Sequence, residues 1–337
     1  MSTHKRKRSL SEDPVSTDQL HYLKKHTALL REELEGIEET ETELETVMQH
    51  IINLERLLSN VKKPRYTFSS MTKKDLTRLG VKGQMLVFKS EGLATILGKS
   101  NDGDTFNEEV SSLRTRLIDI YAHVNMDYEA GSRMLLDAVL LSIAKISSKR
   151  DPETSVAILP EMRLTSSEGT VITNPESKFQ AWLTGNVDYG VIRYLDQDDN
   201  KARFIGVDAS RDGILHLAAG HLFLVEAKRM SDKGLSQHMP EAVGQAMALS
   251  EITGSNKVRF CLSNGHSWIF AILLKDEAGN RSYYESTPRY LDKSQTESDL
   301  PSSLQHIGGL VALVLQWLSP TDSHPENQLF TLKNWTQ

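Results

Sequence analysis

The chain has 337 residues, 39% of them hydrophobic and 25% charged, enough for one substantial globular domain with accessories or for two domains. Its single cysteine, Cys261, excludes an intrachain disulfide and a thiolate zinc site. A formal net charge of -6 excludes a surface that grips nucleic acid everywhere, which leaves local basic groups or metal ions held by carboxylates as the means of contact.

Residues 1–17 carry Lys5-Arg6-Lys7-Arg8 ahead of Ser9, Ser11 and Pro14, with almost nothing apolar to bury. A disordered basic tail is expected, and the tetrapeptide reads either as a nuclear import signal or as a generic basic cluster. Nothing in this polar stretch resembles a secretory signal, and no later apolar run approaches the roughly 20 residues that span a bilayer. An intracellular protein with no membrane partner is expected. In residues 18–62, Leu23, Leu30, Ile37, Leu44, Ile51 and Leu58 recur every seven positions on a Glu-rich background. Leu34, Val47, Met48 and Leu54 partly fill a second seam, which Thr27, Glu41 and Glu55 interrupt. The spacing predicts a coiled-coil helix that joins a second copy or a helical partner; a helix lying on the protein's own core would show similar periodicity.

Residues 63–113 read as a connecting region or small subdomain with short strand-like pieces such as Met85-Leu86-Val87-Phe88. Gly98-Lys99-Ser100 imitates the end of a phosphate-binding loop, but Gly92 lies one residue too far upstream and position 93 is leucine. That mismatch argues against an NTPase, since loop length sets which amides surround the phosphate. Residues 114–320 read as one α/β domain, followed by a C-terminal tail over 321–337. A helix is predicted over 128–145, with strands near 156–160, 185–194 and 222–228. Pro240 suits the first turn of a helix reaching about Glu251, which stops before Thr253-Gly254. Lys257–Leu262 and Ser267–Leu274 read as a hairpin around Asn264-Gly265, and a last helix runs from about Ser302 to Leu318.

The chemistry is concentrated in His221-Leu-Phe-Leu-Val-Glu-Ala-Lys-Arg229. A short apolar strand ends in an acid and an ammonium two residues apart, and residues i and i+2 of a strand share a face. Glu226 and Lys228 therefore project together. A carboxylate there suits a divalent cation, and an ammonium beside it can orient water or stabilise developing negative charge on a phosphate. A second acid, Asp188, sits in the strand-like run Asn186-Val-Asp-Tyr-Gly-Val-Ile192. Magnesium needs only one or two protein carboxylates and keeps several waters.

These residues resemble the PD-(D/E)XK nuclease superfamily, whose core runs helix, three strands, helix, strand. The resemblance covers about residues 127–274 and includes Glu129-Ala-Gly-Ser-Arg133 on the first helix, Asp188, Glu226-Ala-Lys228, and Gln245 on the following helix. Ser263-Asn-Gly-His-Ser-Trp-Ile-Phe270 is similar to the hairpin of many restriction-endonuclease-like domains, and the coil-plus-domain arrangement faintly resembles Crinkler-type fungal proteins. Val187 stands where the superfamily's naming proline would be. The long Asp188–Glu226 gap, with its polar stretches at 196–201 and 208–213, predicts an inserted hairpin or loop.

The resemblance implies an α/β, restriction-endonuclease-like mixed sheet flanked by helices and preceded by the coiled coil. It implies Mg²⁺ or Mn²⁺ on Asp188 and Glu226, and phosphodiester hydrolysis, in DNA rather than RNA. Lys228, Glu129 and Gln245 would complete the site. Lys145, Lys149, Arg150, Arg229 and Lys233 lie near it in sequence as candidate phosphate contacts. Plainer roles stay open: a surface pair for Glu129 with Arg133, a cap for Asp188, a strand-end ion pair for Glu226 with Lys228, and a solvent-facing Gln245. His238 and His266 lack ligand spacing. A second functional class is also open, a catalytically inert nuclease fold that binds nucleic acid or protein and assembles through its coil.

Overall fold

The computed structural model describes residues 25–32, 47–49, 51–53, 63–101, 104–206, 214, 222–229, 234–291, 293–319 and 329–334. The chain divides into two compact units, one of Met1–Lys63 with Pro175–Phe179 and the other of Pro64–Asn174 with Gln180–Gln337. In the first, residues 25–32, 47–49 and 51–53 are helical. Of the heptad seam only Leu30 and Ile51 fall there; the basic tail and the rest of the expected coil lie outside the described residues.

The second unit opens with β1 (Arg65–Thr67), a 3-10 turn (Phe68–Ser70) and α1 (Lys73–Arg78). Thr72 and Asp75 cap α1 reciprocally: the Asp75 amide donates to Thr72 Oγ1 (3.3 Å) and the Thr72 amide to Asp75 Oδ2 (3.0 Å). Then come β2 (Val81–Phe88), α2 (Ser90–Asn101), α3 (Asp104–His123), α4 (Glu129–Arg150), β3 (Thr154–Arg163), β4 (Thr170–Thr173), β5 (Gln180–Thr184) and β6 (Asn186–Leu195). The remainder is α5 (Asp198–Ile205), β7 (Leu222–Ala227), α6 (Met239–Thr253), β8 (Lys257–Ser263), β9 (Ser267–Lys275), β10 (Arg281–Ser286), β11 (Arg289–Tyr290), α7 (Lys293–Glu297), α8 (Leu300–Leu318) and β12 (Phe330–Lys333). No described helix is long and apolar enough to cross a membrane.

Among the described residues the strands form a large mixed sheet in the order β12-β2-β10-β9-β8-β7-β6-β3, with β11 on β9, and a three-stranded sheet β1-β5-β4. The region 63–113, set apart by composition, belongs to the same unit: β2 pairs in parallel with β10, and Phe106, Val110 and Leu113 of α3 enter the main core. The expected C-terminal tail likewise supplies β12, paired with β2. Both placements share a cause: the pairing that brings in these segments comes from strands far away in sequence.

The helices over 129–150, 239–253 and 300–318 start within two residues of their expected positions, and the first runs five residues past its expected end. Pro240 occupies the first turn of α6 and Gly254, at φ +69°, ends it in the left-handed region. Gly98 falls within α2, so the Gly-Lys-Ser tripeptide is helical rather than a phosphate loop. Of the two polar stretches expected to form an inserted hairpin or loop, 208–213 lies outside the described residues and 196–201 leads into a helix, α5. Asp198 and Asp199 at its start and Arg203 near its end favour the helix dipole, and Phe204 packs against Tyr194.

One face of the large sheet presents Tyr189, Val191, Phe223, Val225, Ala227, Trp268 and Phe270 to a core shared with α4 and α8. Side chains alternate along a strand, so Asp188 and Glu226 point to the other face. There α6 packs on β7, β8, β4 and the Phe68–Ser70 turn.

Candidate active site

The register of β6 and β7 decides the site. The strands are antiparallel, with Gly190 opposite Leu224 and Tyr189 opposite Val225. One step further, Asp188 stands opposite Glu226, where the two side chains share a face. The Asp188 carboxylate is fixed by the Ala227 amide, which donates to Oδ2 (2.7 Å). Lys228 lies just past β7 but stays tied to the sheet, its amide donating to the Ser263 carbonyl (2.8 Å). Its ammonium donates to Glu226 Oε1 (2.6 Å) and pairs with Glu241 Oε2 (2.7 Å). Gln245 Nε2 donates to Glu226 Oε2 (2.6 Å).

Glu129, Asp188, Glu226, Lys228 and Gln245 are thus gathered at one end of the sheet. Gln245 is buried and reaches the site through Glu226, while a pocket of about 240 Å³ is lined by the other four together with Thr67, Phe68, Ser69, Glu161, Gly185 and Glu241. Gly185 permits its narrow floor. Its φ is +145°, and a Cβ there would stand 2.6 Å from Phe68 Cδ2.

Three participants carried no sequence signal of their own or only a weak one. Glu241 lies four residues before Gln245, the spacing that puts both on one face of α6. Arg133 stood out only as the helical partner of Glu129, at 3.1 Å, yet its guanidinium also pairs with Asp188 and Glu161. Glu161 is legible only in three dimensions. The β3–β6 ladder runs from Thr154 opposite Leu195 to Arg163 opposite Asn186, and the pair it skips is Glu161 opposite Asp188. Glu161 has φ +50° there, a left-handed conformation that costs a residue with a Cβ about 1–3 kcal/mol.

Of the expected basic contacts, those towards the end of α4 lie away from the site. Lys149 and Arg150 end α4, and at 1.5 Å per residue Arg150 is about 30 Å from Glu129. Lys145 pairs with Glu109, and Arg150 covers the Phe106 ring at 5.1 Å. Nearness along a long helix is not nearness in space. Arg229 is exposed just beyond Lys228, and Lys233 lies outside the described residues. His238 and His266 do not line the pocket.

Burial dominates the electrostatics. Glu226 is 4% exposed, and desolvation, then repulsion from Asp188, push its carboxyl well above the usual range against the opposing pull of Lys228. Desolvation also raises Asp188, opposed by the Ala227 amide and Arg133. Burial works against the charged Lys228, yet Glu226 and Glu241 outweigh it and hold the ammonium protonated above the ordinary lysine range.

Two facing carboxylates, of which Asp188 raises the proton affinity of Glu226, fit a divalent cation, which would relieve the repulsion. The oxygen-only donors suit Mg²⁺ or Mn²⁺ rather than a thiophilic metal. Gln245 Oε1, buried beside Glu226, has no hydrogen-bond partner among the described residues, and a water on such a cation would supply the donor. Among the described residues no three His, Cys, Asp or Glu groups are placed to hold a metal. A cation here would therefore rest on Asp188, Glu226 and water. No protein-family model and no curated protein matches the chain.

Proposed function

We propose that the chain is a metal-dependent phosphodiesterase of the PD-(D/E)XK nuclease kind, acting on DNA. The observation that carries the proposal is Asp188 facing Glu226 across adjacent antiparallel strands, with Lys228 seated on Glu226 at the mouth of a pocket. The helix, β3, β6, β7, helix, β8 succession from Glu129 to Ser263 supports a restriction-endonuclease-like core in which β4, β5 and α5 are insertions. Asp188 and Glu226 would hold Mg²⁺ or Mn²⁺, which when bound polarises a phosphate oxygen and acidifies a water. The Lys228 ammonium, kept charged by Glu226 and Glu241, stabilises negative charge developing on the phosphate. Gln245 keeps the Glu226 carboxylate from rotating, and the Ala227 amide does the same for Asp188. Thr67 and Ser69 offer hydroxyl donors at the pocket wall.

The test is release of product from plasmid and linear DNA with Mg²⁺ or Mn²⁺, against a chelator control. Asp188→Asn and Glu226→Gln keep shape and remove charge, and each should lower the rate by roughly 10²–10³ or more. Cleavage that survives Glu226→Gln unchanged refutes the assignment. Five carboxylates line this pocket (Glu129, Glu161, Asp188, Glu226, Glu241), and that density favours a second reading, an inert nuclease fold used for binding. Folded wild-type protein that binds Mn²⁺ and cuts neither DNA nor RNA establishes the second reading. Residues 18–62 would join two copies or a helical partner, tested by particle mass before and after deletion of residues 1–62. Lys5–Arg8 would direct the chain to the nucleus, tested by its distribution once those charges are removed.

A further inference from the structure

The strand register places Glu161, Asp188 and Glu226 in one row across β3, β6 and β7. Like charges opposite one another repel, and each flank of the row has its own answer. On one side Lys228 takes Glu226. On the other the backbone leaves the ladder at Glu161, φ +50°, and Arg133 inserts between Glu161 and Asp188, pairing with both. Its Nε is buried with no hydrogen-bond partner among the described residues, so the guanidinium is held by acids alone: Asp188, Glu161 and Glu129.

Asp188 Oδ2 is engaged by the Ala227 amide, and Arg133 sits on Oδ1. A divalent cation approaching Asp188 therefore meets a guanidinium on the remaining oxygen, and two cations on one oxygen repel. Arg133 has somewhere to go without leaving, because Glu161 already holds its other nitrogen.

We infer that Arg133 is a built-in counter-cation, which occupies Asp188 in the metal-free protein and yields it to a divalent cation while Glu161 retains the guanidinium. The exchange rests on reading Asp188 and Glu226 as cation ligands. It adds that the pair Arg133 and Glu161 sets the cation concentration at which the site loads. Both are positioning residues, and Glu161 acts through Arg133. A guanidinium suits the task because its planar fork spans two carboxylates at once, which an ammonium cannot do as well.

The experiment is calorimetric titration of Mn²⁺ into the chelator-stripped full-length chain, without nucleic acid, for wild type, Arg133→Ala, Arg133→Lys, Glu161→Gln and the Ala/Gln double variant. Arg133→Ala should bind Mn²⁺ roughly ten- to a hundredfold more tightly, the equivalent of one charge-assisted hydrogen bond that no longer has to be given up. Arg133→Lys should also tighten binding, because it keeps the charge but loses the two-way grip. If only the local field mattered, it would match wild type. Glu161→Gln should weaken binding in the wild-type background and have little effect alongside Arg133→Ala, since its influence passes through the guanidinium.

Wild-type affinity in both Arg133 variants overturns the inference and leaves the nuclease reading standing. So does a Glu161→Gln effect of equal size in both backgrounds. Absence of Mn²⁺ binding in wild type and variants alike removes the cation site and the inference together. Binding that appears only without Arg133 supports the exchange in its strongest form. If Arg133→Ala fails to fold, Arg133→Lys alone decides.

Discussion

Lys228→Met isolates the charge at the centre of the site, because methionine keeps the length and apolar packing of the lysine stem. The ammonium bridges Glu226 and Glu241, with side-chain exposures of 15%, 5% and 13% respectively. Removing one partner of a buried ion pair costs about 3–5 kcal/mol, since the remaining charge stays desolvated and unpaired. At about 2–4 °C per kcal/mol for domains of this size, the melting temperature at neutral pH in chelator should fall by about 6–20 °C. The sign against pH follows from the two shifts. In wild type the raised Lys228 pKa means its stabilisation is fully present below the ordinary lysine range and is lost only as pH rises through the raised value. In the variant Glu226 loses the one lysine that lowers its pKa, so it rises further and takes a proton sooner. The deficit should therefore shrink on acidification, and added Mn²⁺ should also narrow it. The assay is thermal unfolding across pH, with and without metal. A loss below about 2 °C at neutral pH, or a deficit unchanged in acid, refutes the picture of an obligatory buried ion pair.

Glu226→Gln should lower the melting temperature less than Lys228→Met at neutral pH in chelator, because Glu241 still pairs the ammonium and the carboxylate removed is one whose raised pKa makes its charged form costly; a loss as large as that of Lys228→Met contradicts this. Mn²⁺ affinity should weaken as pH falls from about 8 to about 5.5, because protons compete for both raised carboxyls, and calorimetry in buffers of different ionisation enthalpy should show proton release on binding. An affinity flat over that span would rule these two groups out as ligands. Gly185→Ala should cost about 1–3 kcal/mol, through its φ of +145° and a Cβ 2.6 Å from Phe68. Adding Phe68→Leu should recover the steric part, and strict additivity of the two changes would show that they do not touch.

Local chemistry made much of this protein legible in one dimension. The apolar run ending in Glu226-Ala-Lys228 is a strand signal with its own chemistry attached, and the spacing of two fixes a common face whatever the fold. Pro240, Gly254 and Asn264-Gly265 are likewise local, since each constrains its own φ or hydrogen bond. Glu129, Asp188 and Gln245 could be named from their residue types and order. Whether they met depended on strand register, which long-range pairing determines.

The tertiary structure alone decided the rest. That β2 and β12 join the large sheet depends on partners far away in sequence, and no periodicity in so short a segment encodes it. Glu161 reaches the site because one residue leaves a ladder, and nothing in Pro-Glu-Met marks that departure. Arg133 shows the difference most directly. In sequence it is the i+4 companion of Glu129, an ordinary helix-surface pair. In the fold it is the cation between Glu161 and Asp188, because burial makes an unpaired carboxylate costly and the nearest guanidinium answers it.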